Sequence, residues 1–202
     1  RLPLTDFHCP LLTLPKVFNT TLTTIPTYQA YLHSDSKNVA AWAKTLGEKT
    51  QPRVGLVWSG GTGHKNDHNR SIALSSLIDY LPDGIEYVSL QKDVRDSDRL
   101  TLAKSSKVRT YDDQIADFSD TAALCDLMDL VISVDTSVAH LSGALGRPTW
   151  ILLPYVPDWR WLLDRDDSPW YPSVKLYRQS ADMLWTSVFE KVKADLLLLS
   201  GM

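Results

Sequence analysis

From Arg53 onward, short and almost wholly apolar runs alternate with stretches of helical spacing, a pattern compatible with few folds. The runs are Val54–Trp58, Tyr87–Leu90, Val108–Tyr111, Leu130–Val134, Thr149–Leu153 and Val174–Tyr177. Between them, helical spacing covers Ser75–Leu81, Ser97–Lys104, Thr121–Met128 and Val138–Leu145, and a last helix is expected over Asp182–Leu199. Strands that are apolar on both faces need cover on both faces, so the pattern predicts a parallel sheet between two helical layers. Crossovers between parallel strands are right-handed. The expectation is an α/β fold: one doubly wound, Rossmann-like parallel sheet of about six strands over residues 51–180.

Residues 1–50 read differently. Four of the eleven prolines fall here (Pro3, Pro10, Pro15, Pro26), and proline removes a backbone donor, so a Pro-rich lead-in of loops and turns is expected. It holds one short helix, Asn38–Leu46, with Val39, Trp42, Ala43 and Leu46 on one face, Ser36 or Asn38 as cap and Gly47 as stop. Residues 181–202 form a C-terminal helix packing on or near the domain boundary. The chain begins with Arg rather than Met and is expected to be a piece of something longer.

Composition narrows the function. With 21 Lys+Arg against 24 Asp+Glu, the basic surface that nucleic-acid binding needs is missing. No apolar run approaches the ~18 residues of a membrane span. Two cysteines, Cys9 and Cys125, are too few for a disulfide framework, so a reduced cytoplasmic setting is expected.

Ligands of doubly wound sheets bind at the carboxyl ends of the strands, where the strand order reverses. After the first strand come Gly60, Gly61 and Gly63, then Lys65 and Arg70. Glycines admit a close backbone approach and the cations suit a phosphate or pyrophosphate, although the glycine spacing fits neither a Walker A loop nor a dinucleotide fingerprint. A solvated surface loop is the alternative. His64 and His68 are four apart, but Gly, Asn and Asp around them read as loop, and no metal site is assigned. Gln91 ends the second strand and either reads a base or ribose edge or is simply polar. Asp117 precedes a helix at the rim of the expected cleft and is a ligand candidate, with Ser119 or Asp120 as the helix cap. The fourth strand ends in Asp135, and Thr136 and Ser137 open a helix at once, presenting N–H groups to an anion. Asp135 either accepts from sugar hydroxyls or caps the helix; His140 either meets ligand or is a satisfied core histidine. After the fifth strand, Tyr155, Asp158, Trp159, Arg160 and Trp161 suggest a ring-stacking wall with polar handles, or a packed cap over the sheet edge. Packing is expected of Trp161 and Trp170, whereas Asp158 and Trp159 are kept as site candidates.

The segment Asp135-Thr136-Ser137-Val138-Ala139-His140-Leu141, followed by Gly143–Thr149, resembles a motif of the heptosyltransferase-like glycosyltransferases of family 9. It is more similar still to the version at the carboxyl end of bacterial tetratricopeptide-repeat proteins. Val54–Gly60, His64–Ser71, Val156–Trp161, Ser168–Pro172 and the stretch His8–Pro15 fit that version in order. The resemblance implies the C-terminal half of a GT-B glycosyltransferase, the domain that binds a nucleoside diphosphate sugar for transfer to an acceptor hydroxyl of a glycan, lipid or protein. By the matched motif, Asp135 would hold the donor sugar, the backbone of Thr136 and Ser137 the pyrophosphate, and Lys65, helped by Arg70, would neutralise it. Ser137 stands where heptosyltransferases commonly have Gly, so ADP-heptose is not assumed as donor. No cofactor and no metal are required by this reading. The acceptor's general base would lie in an N-terminal Rossmann half, with tetratricopeptide repeats upstream, in the bacterial cytoplasm or peripheral to the inner membrane. The competing expectations are a non-catalytic Rossmann-like module attached to such repeats, or another GT-B-like reaction such as epimerisation or hydrolysis.

Overall fold

A computed structural model describes residues 3–27 and 29–199. In chain order the elements are α1 (Leu14–Val17), α2 (Ser36–Leu46), β1 (Arg53–Val57), α3 (Asp67–Arg70), α4 (Leu74–Leu77), β2 (Glu86–Ser89), α5 (Asp96–Lys104), β3 (Val108–Arg109), α6 (Phe118–Asp126), β4 (Leu130–Val134), α7 (Ser137–Ala144), β5 (Thr149–Leu153), β6 (Val174–Arg178) and α8 (Thr186–Leu199). Short 3-10 turns occupy Leu11–Thr13, Ile78–Tyr80 and Trp159–Trp161. The six strands form one parallel sheet in the order β3-β2-β1-β4-β5-β6. The chain winds outward from β1 in one direction and from β4 in the other, so the order reverses between these two neighbours.

Alternate residues of each strand feed opposite faces, as a period of two requires. On one face Val54, Leu56, Leu130, Ile132 and Val134 pack with Leu74 and Leu77 of α4 and with Val188, Phe189, Val192 and Leu196 of α8. On the other, Val57, Val88 and Val131 meet Ala122–Cys125 of α6 and Trp42 and Leu46 of α2. Farther along that face, Ile151 and Leu153 meet Ala139 and Ala144 of α7, Trp161 and Tyr171. Gly55 in β1 is sterically required, since a Cβ there would sit 2.7 Å from Leu90 Cδ1. Burial pushes the Cys125 thiol up to about 12.

Several details differ from the sequence reading. The cap of α2 is Asp35, whose carboxylate accepts from the Lys37 N–H at 2.7 Å, rather than Ser36 or Asn38. The cap of α6 is Asp117 in a capping box with Asp120, because Asp117 is the residue with extended backbone. The expected helix Ser75–Leu81 is a short α4 that tightens into a 3-10 turn, and α1 and α3 form where loop was expected. Within residues 1–50, α2 joins the domain core directly: the Trp42 indole donates to Asp120 at 3.0 Å and Asn38 donates to Ser119 at 2.9 Å. Farther upstream, the Tyr31 and Leu32 N–H groups both donate to the Ala144 carbonyl at the end of α7. Gly146, at φ +71°, lies under this strap, and a Cβ there would sit 2.3 Å from the Gln29 carbonyl oxygen. No helix among the described residues is long and apolar enough to cross a membrane.

Candidate functional site

The reversal between β1 and β4 opens a crevice of about 450 Å³ at the carboxyl ends of the strands. Its walls come from Ser59, Gly60 and Gly61 after β1, from Leu90–Asp93 after β2, from Ala116–Phe118 at the start of α6, and from Thr136–Val138 at the start of α7.

Thr136 is the N-cap of α7, in extended conformation, yet no side chain caps the helix. Its hydroxyl turns instead to the Ser133 hydroxyl, 3.1 Å away. The first-turn N–H groups of α7 therefore face the crevice without a side-chain acceptor, an arrangement that attracts an anion. Asp135 does not cap; its carbonyl accepts from Arg70 Nη1 at 2.7 Å, and its carboxylate Oδ1 lies 3.9 Å from His140 Nε2.

The glycine loop is held by buried charge. Arg95 Nη2 donates to the Gly60 carbonyl and the Ser71 hydroxyl, each at 3.1 Å, and pairs with the Asp67 carboxylate. Ser71 donates to Asp67 at 2.7 Å and accepts from the Gly60 N–H at 3.0 Å. The Arg70 guanidinium covers Gly60, where a Cβ would lie 2.5 Å from Nη2. Of the loop glycines, Gly60 alone is crowded; a Cβ at Gly61 or Gly63 would meet nothing within 4 Å, because both face open space. Ser59 Oγ is buried and has no partner among the described residues.

The expected site residues thus separate into three groups. Gly60, Gly61, Thr136, Ser137, Gln91 and Asp117 all line the crevice, with Arg70 and Asp135 directly behind it. Gln91, however, is not available to read a base or ribose: its Nε2 donates to the Ser59 carbonyl at 2.8 Å and its Oε1 accepts from the Ser59 N–H at 3.3 Å, tying β2 to β1. The Asp117 carboxylate accepts from the Ser119 N–H and hydroxyl, bonds that hold it below the usual carboxylate range, so capping engages it at the rim. Lys65 is exposed on the loop outside the crevice lining.

His140 belongs to a second cavity. Its ring stacks on Trp161, centroids 5.0 Å apart at 17°, and its Nδ1 lies 3.1 Å from the Tyr171 hydroxyl. Burial holds the imidazole below its ordinary pKa, while Asp135 opposes that shift. This cavity, about 400 Å³, is lined by Leu12, His140, Trp159, Arg160, Trp170 and Tyr171. No group of His, Cys, Asp and Glu among the described residues is arranged to hold a metal ion. The sequence reading missed Arg95 and Asp67. The available signal was the place of Arg95 just past the end of β2, in the zone where ligands are met.

No protein-family model matches the chain. Protein FlbA of Caulobacter vibrioides (strain ATCC 19089 / CIP 103742 / CB 15) is 29% identical over 181 residues, which are 85% of this chain and 29% of FlbA. Among solved structures, E. coli ADP-heptose lps heptosyltransferase II matches with a TM-score of 0.60 at 17% identity, over 90% of this chain and 57% of that one. E. coli heptosyltransferase WaaC with ADP matches with a TM-score of 0.52 at 18% identity, over 86% and 52%. The chain thus spans about half the length of those transferases and less than a third of FlbA. The six-stranded parallel sheet and its helices have the fold of the C-terminal domain of the GT-B heptosyltransferases, the architecture that the motif resemblance implies.

Proposed function

We propose that the chain is the donor-binding domain of a GT-B glycosyltransferase and takes a nucleoside diphosphate sugar in the crevice between β1 and β4. The observation that carries this reading is the uncapped start of α7 facing the same cavity as the Arg-braced Gly60. A diphosphate leaving group develops negative charge as the glycosidic bond breaks, and preorganised N–H donors stabilise that charge without reorganising. Ser137 and Val138 N–H groups supply the donors, and Lys65, on the mobile end of a long side chain, supplies a cation from the loop. Asp135 accepts from hydroxyls of the donor sugar. Phe118, exposed at the crevice wall, offers a face for the base.

The similar WaaC structure holds ADP. Here Ser137 puts a side chain at the first position of α7, and the nucleotide is left to experiment. The acceptor's general base is assigned to a partner N-terminal half. Attachment to tetratricopeptide repeats and a bacterial cytoplasmic setting, at most peripheral to the inner membrane, complete the reading on the strength of the motif resemblance.

Calorimetry with UDP-, GDP-, ADP- and CMP-sugars tests it. At least one should bind, and Ser137→Asp should weaken that ligand about tenfold or more, by placing a carboxylate against the diphosphate. The same substitution should leave the fold intact or stabilise it by about 0.3–1 kcal/mol, because an acid at a helix start suits the dipole. Silence across the whole panel, or unchanged affinity in Ser137→Asp, Asp135→Ala and Lys65→Ala alike, would sink the assignment.

A further inference from the structure

The cavity beside His140 is separate from the crevice and is lined mainly by aromatic rings. Thr136 and Ser137 line the crevice, His140 one turn along the same helix lines the aromatic cavity, and Asp135 adjoins His140, so the start of α7 is shared by both. Tyr171 is buried and lines the cavity, and Trp161, fully buried, backs His140. Trp159 is different: it is 62% exposed, and burial does not fix it. Instead the Arg160 guanidinium lies 4.8 Å from its ring centroid, and Trp170 meets it edge-on at 6.3 Å. These neighbours are themselves tied down. Asp158 accepts from the Arg160 N–H at 3.0 Å and from its Nη1 at 2.8 Å, and the Trp170 indole donates to the Arg160 carbonyl at 2.8 Å.

The result is a preorganised set of rings with a guanidinium and an imidazole in its lining and Asp158 holding the guanidinium. A purely apolar ligand would leave those polar groups stripped of water. A pyranose ring satisfies both parts, because its C–H face lies on aromatic carbon while its hydroxyls reach the rim. We propose that this cavity is a carbohydrate subsite, with Trp159 as its stacking platform, Arg160 and His140 as its hydroxyl partners, and Asp158 fixing the Arg160 guanidinium. The ring it holds is either the donor's glycosyl group, reached across Asp135, or a sugar of the acceptor. Only that distinction rests on the donor reading above; the subsite does not.

Calorimetric titration of the chain with methyl pyranosides, with bare UDP, GDP, ADP and CMP, and with the matching nucleotide sugars tests the proposal. It is run on the native chain, Trp159→Ala and Trp159→Phe. Because Trp159 is exposed, both variants should fold. Trp159→Ala should weaken sugar-bearing ligands about tenfold, as truncating an aromatic anchor does, leave bare nucleotides unchanged, and be largely rescued by Phe. A loss confined to nucleotide sugars identifies the donor ring, and one confined to free glycosides identifies the acceptor ring. Equal binding of every sugar-bearing ligand to all three proteins overturns the subsite, as does the failure of all of them to bind. If glycosides bind through Trp159 while no nucleotide binds, the donor reading falls and the subsite stands.

Discussion

The two cavities that meet at the start of α7 are built by different means. The crevice is braced across two connections: Gly60, Asp67 and Ser71 lie between β1 and β2, Arg95 follows β2, and they converge through half-buried hydrogen bonds. The aromatic cavity is more local: Trp159, Arg160, Trp170 and Tyr171 lie within one excursion between β5 and β6, and only His140 and Leu12 join them from elsewhere. A charge network holds backbone carbonyls and N–H groups in place but adds little apolar burial. A ring cluster contributes burial and also leaves one face of its rim open. The first arrangement should therefore fail in binding before it fails in stability, and the second should do the reverse at Trp161 behind His140.

Three measurements break or sharpen that contrast. Trp161→Ala should have the largest effect, removing about 3–5 kcal/mol of stability in denaturant unfolding, because the indole is fully buried beneath His140. A loss under about 1 kcal/mol would mean that the Trp161 ring is not structural. Next, Arg95→Met should cost about 1–3 kcal/mol, since Asp67 and the Gly60 carbonyl lose a donor. Its stronger signature should be weakened nucleotide binding with an unchanged circular-dichroism spectrum. Preserved binding would show that the glycine loop holds its shape without the network.

The smallest effect concerns pH. Burial keeps the His140 imidazole below its ordinary value of 6.5, with Asp135 opposing and Arg160 assisting. In acid the unfolded chain then binds the proton more readily than the folded chain. This contribution to stability is complete above about pH 6.5 and is lost as the pH falls through the lower folded value. Unfolding midpoints measured between about pH 7.5 and about pH 5.5 should drop more for the native chain than for His140→Gln. Parallel slopes would show that His140 does not titrate across folding.

The contrast also explains what was legible in the sequence. β4 and β5 have the bounds that their apolar runs predict, because a strand covered on both faces leaves an uninterrupted record. The ring wall after β5 was legible for the same reason: its residues are neighbours in the chain. The fate of Gln91 was not, because its partner Ser59 follows a different strand and a free and a bridging glutamine look alike in sequence. Arg95 was marked only by its place past the end of β2, because its partners Gly60, Asp67 and Ser71 lie in another connection. Asp117 and Asp120 were both recognised as capping or ligand groups, but four acids and a serine within nine residues offered several caps, and only backbone conformation decides among them.

The strap over α7 bears on the order in which the chain assembles. Tyr31 and Leu32 reach the Ala144 carbonyl across a stretch of sequence that contains four of the six strands. That carbonyl takes its final position only when α7 has been seated between β4 and β5, and closing so long a loop early would cost entropy before any contact repaid it. The strap is thus among the last segments to find its place. Until Gly146 is formed into its turn, the strap has nowhere to dock.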